Sequence, residues 1–431
     1  MVFDKSDSKL LKFNKIVAIC LIVWVCLPWV TQNLRLITGV ILSAFWVLSA
    51  LFIDKVKVVL TKDTIFMGAW IGISLLAVIV TGRAFAHYSF MDFAPWAILF
   101  FLGYYIAHFY MKHNMTRFLA ILSIVAVVSI VIGQIFSIYY STLYPGIMKS
   151  IEKESSNIFS PLVPGHLDFE VARKLGIGGF GFVYMVMFVA LALIVVLKKC
   201  QNKIVKLISI VVFAVSAACL VLSTYTTALV ILVAGIIVVM ISAIKNDKKR
   251  HLVYVLSLVA LVVLGQIIGN VLLSIQVENL SLYERLQEIG NFLTSGEIGA
   301  NMDSRLSYLQ KSWNAFMSYP LLGSNFVHDI TITAGAHSEW VDILGAYGLI
   351  GAIPLFATLI CKFRTINRYL KEKTGHNAYG AILIVLIVFG LFDPVIRTYH
   401  VGMALFLIVP GMFFIPQLFE RREKNENSLD S

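Results

Sequence analysis

Long apolar runs separated by polar segments set the pattern of this chain. Runs of roughly 17–25 predominantly apolar residues recur along it, and each is long enough to cross a hydrocarbon core of about 30 Å as a helix. We therefore predict twelve membrane spans, with a large polar segment before the tenth. They lie near residues 16–30, 34–53, 64–82, 93–110, 118–138, 177–197, 204–223, 227–244, 252–274, 338–360, 378–392 and 401–418.

Two places in this pattern leave alternatives. The polar run Ser223-Thr224-Tyr225-Thr226-Thr227 predicts a break between the seventh and eighth spans, with a kinked continuous helix as the alternative. The N-terminus has lysines followed by an apolar run, as a signal peptide does. No small-residue cleavage site follows that run, so we expect an uncleaved first span.

Composition places the chain outside the class of soluble proteins. Hydrophobic residues make up 59% of it and charged residues 14%, against about 45–50% and about 25% in soluble domains. The alternating pattern of an outer-membrane barrel is absent from the sequence. The expected fold class is an all-α polytopic membrane protein.

The net charge of +11 follows the predicted topology. Most lysines and arginines fall in short segments that twelve spans would place on one side of the membrane. The long segments 139–176 and 275–337 face the other side, and neither holds a cysteine that could form a disulfide framework. Because basic loops stay in the cytoplasm, we expect a multi-pass protein of the inner or plasma membrane with both termini cytoplasmic. The same distribution argues against nucleic-acid binding.

This topology divides the chain into three regions. We predict an N-terminal transmembrane bundle (1–274), a large extracytoplasmic loop (275–337), and C-terminal spans with a cytoplasmic tail (338–431).

The stretch 301–354 is the most informative polar segment. A helix start at Asp303-Ser304 and a stop at Pro320 predict a short helix on the outer face of the bundle. Its apolar side would be a packing surface, formed by Leu306, Leu309, Trp313 and Phe316.

Arg305 lies in the first turn of this helix, where a cation is unfavourable beside the positive helix end. An anionic partner is therefore expected. Asp303 and a substrate phosphate are both candidates on the sequence alone.

His337 stands at the mouth of the tenth span. An imidazole can accept a proton near neutral pH, so His337 is either a general base or a structural histidine. Glu339 and Asp342 follow closely and could orient it. His328 and Asp329 with His337 do not have a recognised metal-ligand spacing.

Outward arginines supply the other candidates. Arg83, Arg173 and Arg397 lie in predicted outer turns or loops, where guanidinium groups could converge on a pyrophosphate. Each also has an ordinary role as a topology or salt-bridge residue. The glycine-rich run from Gly176 to Gly181 permits close approach of a helix or a lipid-linked substrate, and is a weak signal by itself.

Residues 300–355 resemble the O-antigen ligase and polymerase superfamily of bacterial cell-envelope enzymes. The resemblance is carried by His337-Ser338, the glycines of Gly348-Leu349-Ile350-Gly351, and an upstream set of Arg305, Trp313 and Pro320-Leu321-Leu322-Gly323. Many members also carry an arginine just after a serine at the outer end of the seventh or eighth span. Here the corresponding stretch is Ser223–Thr227, without an arginine.

The resemblance implies a glycosyltransferase that uses no metal, no cofactor and no nucleotide-sugar donor. Its donor and acceptor would be glycans carried on undecaprenyl diphosphate within membrane lipid. His337 would be the general base, and Arg305 would hold the diphosphate with Arg83, Arg173 or Arg397. Glu339 is a further substrate-binding candidate. Chain-length regulator and flippase proteins are the implied partners.

Three functions remain open on the sequence. The first is a polymerase of lipid-linked repeat units for capsule, exopolysaccharide or O-antigen, and the second is a ligase of the same superfamily. The third is a transporter or flippase of lipid-linked sugars. Transport pathways usually place ionisable groups near mid-depth, and the predicted spans are almost free of them there.

Overall fold

The computed structural model describes residues 5–55, 64–85, 88–144, 147–148, 174–242, 300–328, 331–335, 337–375 and 378–419, with a few isolated positions between 270 and 295. Within these ranges the chain is all-helical. The helices, in chain order, are α1 (Lys5–Cys26), α2 (Pro28–Asp54), α3 (Thr64–Thr81), α4 (Phe90–Lys112), α5 (Thr116–Leu143), α6 (Phe180–Lys199), α7 (Lys203–Leu222), α8 (Thr226–Ser242), α9 (Ala300–Ser318), α10 (Glu339–Thr374), α11 (Ala378–Phe389), α12 (Tyr399–Met403) and α13 (Val409–Met412). A 3-10 turn (Ser324–Phe326) precedes α10, and a π-helical turn (Ala404–Ile408) joins α12 to α13.

Among the described residues, 8 helices are long and apolar enough to cross a membrane, or up to 9 if the bent pair formed by α1 and the start of α2 is one span. Two shorter apolar helices, Thr226–Ser242 and Tyr379–Phe389, stand where the eighth and eleventh spans are predicted. The ninth predicted span, 252–274, lies outside the described residues. The all-helical membrane class is therefore confirmed in this part of the chain, and the count of twelve stays a prediction.

The first break in the bundle is not where the sequence placed it. The pattern put a turn near residues 31–33, but α1 ends at Cys26 and α2 begins at Pro28. The two helices bend by 97° across Leu27. Proline cannot supply an N–H to a preceding turn yet fits the first position of a new helix, so Pro28 places the break.

The predicted break at Ser223–Thr227 is present. α7 ends at Leu222, and α8 begins at Thr226. Between them Thr224 has a φ of 58°, in the left-handed region that a continuing helix cannot hold. The alternative of one kinked helix is excluded.

The most enclosed helices are α6 and the final span, Tyr399–Phe419. In their apolar segments 78% and 83% of the residues are buried, whereas in those of α2 and α3 only 22% are buried. α6 and the final span thus form the centre of the bundle, and α2 and α3 face outward. Residues just before the final span and at the start of α6 therefore meet at one end of the centre.

α10 is one helix in sequence but is broken at Gly348, which has φ 59° and ψ −167°. The break frees two backbone N–H groups, and the Pro320–Gly323 segment satisfies them. Leu349 donates to the Pro320 carbonyl at 2.8 Å, and Ile350 donates to the Leu321 carbonyl at 3.0 Å. The two segments that carry the family resemblance therefore interlock.

The interlock depends on backbone packed against backbone. A Cβ added to Gly348 would lie 2.4 Å from the Leu321 carbonyl group, and one on Gly323 would lie 2.4 Å from the Ala346 oxygen. Gly323 also has a positive φ of 76°. Neither position can carry a side chain without moving the other segment.

Gly348→Ala should destabilise the protein by at least about 1–3 kcal/mol, the cost of a side chain in this backbone region. Thermal unfolding of detergent-solubilised protein measures the effect. Gly72→Ala is the matched control, because Gly72 lies in α3 with open space around it. Equal melting temperatures for the two variants would contradict the interlock.

Candidate active site

α9 lies against the first part of α10 through small residues. Ser312 and Ala315 are buried in this contact. A Cβ on Gly345 of α10 would lie 2.6 Å from the Ser312 carbonyl oxygen, so the two backbones nearly touch. Close helix contacts are commonly built on such small residues.

The predicted packing surface of α9 is wrong in part. Leu306 and Trp313 are 45% and 47% exposed, while Leu309 and Phe316 are half-buried. The approach through Ser312 and Ala315 turns the large apolar side chains away from the bundle core. The face that meets α10 is therefore the one with the smallest side chains.

Arg305 reaches from α9 to two distant parts of the chain through one nitrogen. Its Nη1 donates to Thr227 Oγ1 at 3.0 Å and to the Phe392 carbonyl at 3.0 Å. The same nitrogen lies 3.4 Å from Asp393 Oδ2. Asp393 is thus an anionic partner of Arg305. The side chain of Asp303, the candidate named from the sequence, lies outside the described residues.

The remaining donors of Arg305 are the basis of its candidate role. A guanidinium carries five N–H donors in a planar fork. Within the described structure, Nη2 and Nε make no hydrogen bond, and the side chain is 34% exposed. Arg305 is therefore held in place at one edge and can present the other edge to an anion.

Asp393 is fixed from the centre of the bundle. It follows α11, is nearly fully buried, and accepts a hydrogen bond of 2.7 Å from the Tyr184 hydroxyl of α6. The sequence pattern gave Asp393 no role, although an acid between two apolar runs is a signal of function. Tyr184 had no comparable signal, since a tyrosine near a span end is common.

His337 lies at the edge of this cluster, two residues before α10 begins. Its ring packs against that of Tyr308 of α9, with centroids 5.0 Å apart. Burial lowers the pKa of the imidazole, the positive charge of Arg305 lowers it further, and the Asp393 carboxylate raises it in part. The imidazole is therefore neutral at neutral pH, which is the form that accepts a proton.

One ring nitrogen of His337 lacks a partner. Nδ1 is buried and makes no hydrogen bond to any described residue. Buried polar atoms are usually satisfied, so an orphan of this kind is expected where a bound group completes the contact. The structure thus places the imidazole of His337 close to the guanidinium of Arg305, and their catalytic roles stay predictions.

The two carboxylates after His337 do not orient it. Asp342 accepts hydrogen bonds from the Ser338 N–H at 3.0 Å, from the Tyr88 hydroxyl at 3.3 Å, and from the Ser312 hydroxyl. These contacts tie the first turn of α10 to α9 and to the turn before α4. Acids in a first helical turn are also favoured by the helix dipole.

Glu339 is fully buried and belongs to the same support. Its Oε2 accepts the N–H groups of Val395 and Ile396, the latter at 3.1 Å. The other oxygen, Oε1, is buried and has no hydrogen-bond partner among the described residues. The contacts of Oε2 favour a role for Glu339 in positioning the turn between α11 and α12 over the predicted contact with substrate.

Arg397, in that turn, is engaged inside the protein. It forms an ion pair with Asp92 and lies over the Tyr88 ring, 4.5 Å from the centroid. This geometry favours an anchoring role. Arg83 is half-buried and donates to the Val327 carbonyl at 3.0 Å, while Arg173 lies outside the described residues.

Comparison with known proteins gives a family match over part of the chain. A search of curated proteins finds no match. The family model described as O-antigen ligase matches residues 211–356, about a third of the 431 residues. This segment contains Thr227, Arg305 and His337, and it ends before Asp393. The segment 211–356 is therefore similar to the O-antigen ligase family, which is consistent with the resemblance to the O-antigen ligase and polymerase superfamily.

Proposed function

We propose that this protein polymerises undecaprenyl-diphosphate-linked oligosaccharide repeat units into a surface polysaccharide on the extracytoplasmic side of the membrane. The observation that carries the proposal is the pairing of a neutral His337 with an Arg305 held at one edge only. Both stand at the end of the bundle centre, where a lipid-linked donor could enter from the bilayer.

In the proposed reaction, His337 takes the proton of an acceptor hydroxyl as its oxygen attacks the anomeric carbon of the donor sugar. The bond from that carbon to the diphosphate breaks, and the electron pair leaves with undecaprenyl diphosphate. Arg305 stabilises the negative charge that grows on the leaving oxygen, and electrostatic stabilisation of this kind is usually the largest single contribution to catalysis. Asp393 and Thr227 hold the guanidinium in position for this contact.

Ligation is the second candidate, and the matched family description favours it. A ligase would use the same base and the same cation, but would transfer a finished glycan to a different acceptor. The two functions therefore differ in the acceptor rather than in the residues of the site.

Product analysis tests the proposal. The protein, purified in lipid nanodiscs, is given undecaprenyl diphosphate carrying one repeat unit from the strain that encodes it. A ladder of longer glycans on the lipid carrier supports polymerisation. Transfer seen only after addition of lipid A core or another envelope acceptor supports ligation. The absence of any transfer under both conditions rejects the glycosyltransferase.

The pH profile should report His337. Since the base acts when deprotonated, kcat/KM should be flat near neutral pH and fall as the pH drops through the pKa of His337. That inflection should lie below the usual histidine pKa of about 6.5. Asp393→Asn removes the charge that raises the pKa and should move the inflection to lower pH. Identical inflections in the two proteins would remove this assignment.

A further inference from the structure

A cleft lined mainly by polar residues lies along α9, outside the contacts of Arg305 and His337. Its volume is about 310 Å³, at the lower end of the range of ligand sites. The cleft runs between α9 and the loop at Thr331–Thr333. Its lining residues are Ser307, Gln310, Lys311, Asn314, Ala315, Ser318, Thr331, Ile332 and Thr333.

Three strips of side chains run along α9, and one of them lines the cleft. Residues three or four apart share a helix face, so Ser307, Gln310, Asn314 and Ser318 form one polar strip. The strip with Arg305 and Ser312 meets the bundle, and the strip with Leu306, Trp313 and Met317 is apolar and exposed. The polar strip is thus separate from both the catalytic contacts and the apolar edge.

The lining chemistry suits a saccharide. Amides and hydroxyls both donate and accept hydrogen bonds, and they match the hydroxyl groups of a sugar without needing charge. One lysine and no carboxylate line the cleft, so it accommodates neutral or acidic sugars. A diphosphate would instead favour several cations, as would a nucleic acid.

The cleft is connected to the catalytic residues by backbone. Gly335 lies between the Thr331–Thr333 loop and His337, and its N–H donates to Ser312 Oγ at 2.6 Å. Tyr308, the neighbour of Ser307, packs on the His337 ring. A sugar chain in the cleft could therefore end beside the imidazole.

We propose that this cleft is a subsite for the acceptor glycan, which holds the sugar chain whose terminal hydroxyl His337 deprotonates. The inference rests on the proposed glycosyl transfer. The acceptor fits this cleft better than the donor does. The Thr331–Thr333 loop forms one wall of the cleft and continues to His337, the residue that acts on the acceptor hydroxyl.

Binding of a released repeat unit tests the subsite. The oligosaccharide, cleaved from its lipid diphosphate by mild acid, has no leaving group and can act only as an acceptor. Saturation-transfer NMR with protein in nanodiscs should detect it on the wild type and on His337→Ala. The double variant Gln310→Ala/Asn314→Ala should bind about tenfold more weakly, because it loses two hydrogen bonds of about 0.5–1.5 kcal/mol each.

Two further arms make the result decisive. Thr142→Ala, exposed at the end of α5, is the control and should bind as the wild type does. Undecaprenyl diphosphate without sugar should not displace the oligosaccharide. Unchanged binding by the double variant, displacement by the bare lipid, or no binding to the wild type would overturn the subsite. A wild type that binds the oligosaccharide but makes no polymer would instead overturn the proposed function.

Discussion

His337→Ala should lower the rate of polymer formation by about 10²–10⁴-fold, the range that a positioned general base contributes. The reason is that His337 is neutral, half-buried and carries an orphaned ring nitrogen at the site. Lipid-linked single repeat units should remain unconsumed, because the variant cannot activate the acceptor hydroxyl. Gel analysis of carrier-linked glycans from purified enzyme measures both effects.

A matched control separates chemistry from folding. His328 lies in the same outer segment and is exposed, so His328→Ala should retain full activity. His337→Gln keeps a polar side chain that cannot act as a base, and should be as inactive as the alanine variant. Wild-type polymer from His337→Gln, with normal elution in size-exclusion chromatography, would rule out the general-base role.

Arg305→Ala should cost about 10²–10³-fold in kcat, the loss typical of one group that stabilises a developing oxyanion. Arg305→Lys should recover little of this activity. An ammonium is a compact point charge and cannot bond Thr227 and Asp393 at one edge while it presents a planar fork at the other. Steady-state kinetics with the lipid-linked repeat unit measures the loss.

The control for Arg305 is Lys174→Ala, which removes an exposed charge at the turn before α6. It should leave kcat unchanged. If Arg305→Lys turns over at the wild-type rate, the guanidinium supplies only its positive charge. The proposal that one edge is held by the protein while the other binds the diphosphate would then be wrong. Loss of activity in both charge variants would point to a general effect of surface charge instead.

The sequence predicted the local features of this protein well. Apolar runs located the described helices, since burial in a bilayer demands long apolar segments and leaves little ambiguity. The polar run at Ser223–Thr227 also predicted a local feature, and the structure has a break there. The helix predicted to start at Asp303-Ser304 is present but already begins at Ala300, so Arg305 lies beyond its first turn. The first break was missed because Pro28 sits inside an otherwise continuous apolar pattern.

Contacts between residues far apart in the chain could not be predicted from the sequence. The pattern required an anion for Arg305, but the partner lies 88 residues away at Asp393. The side of α9 that meets the bundle was misassigned because hydrophobicity favours large residues, whereas close backbone approach selects Ser312 and Ala315. Glu339 illustrates the same difficulty, since only the fold shows that it faces the backbone of Val395 and Ile396.

The interlock at Gly348 has a consequence for exchanging parts between related proteins. Residues 320–321 accept hydrogen bonds from the backbone of α10 at 349–350. The boundary predicted at 337 therefore does not separate two independent modules. A chimera that imports a foreign segment up to residue 337 would pair the native N–H groups of 349 and 350 with carbonyl groups from the foreign segment. Those carbonyl groups would have to occupy the positions of 320 and 321 to accept the two hydrogen bonds. The transferable unit runs from the start of α9 through Gly351, and recombination for new glycan specificity should be designed on those limits.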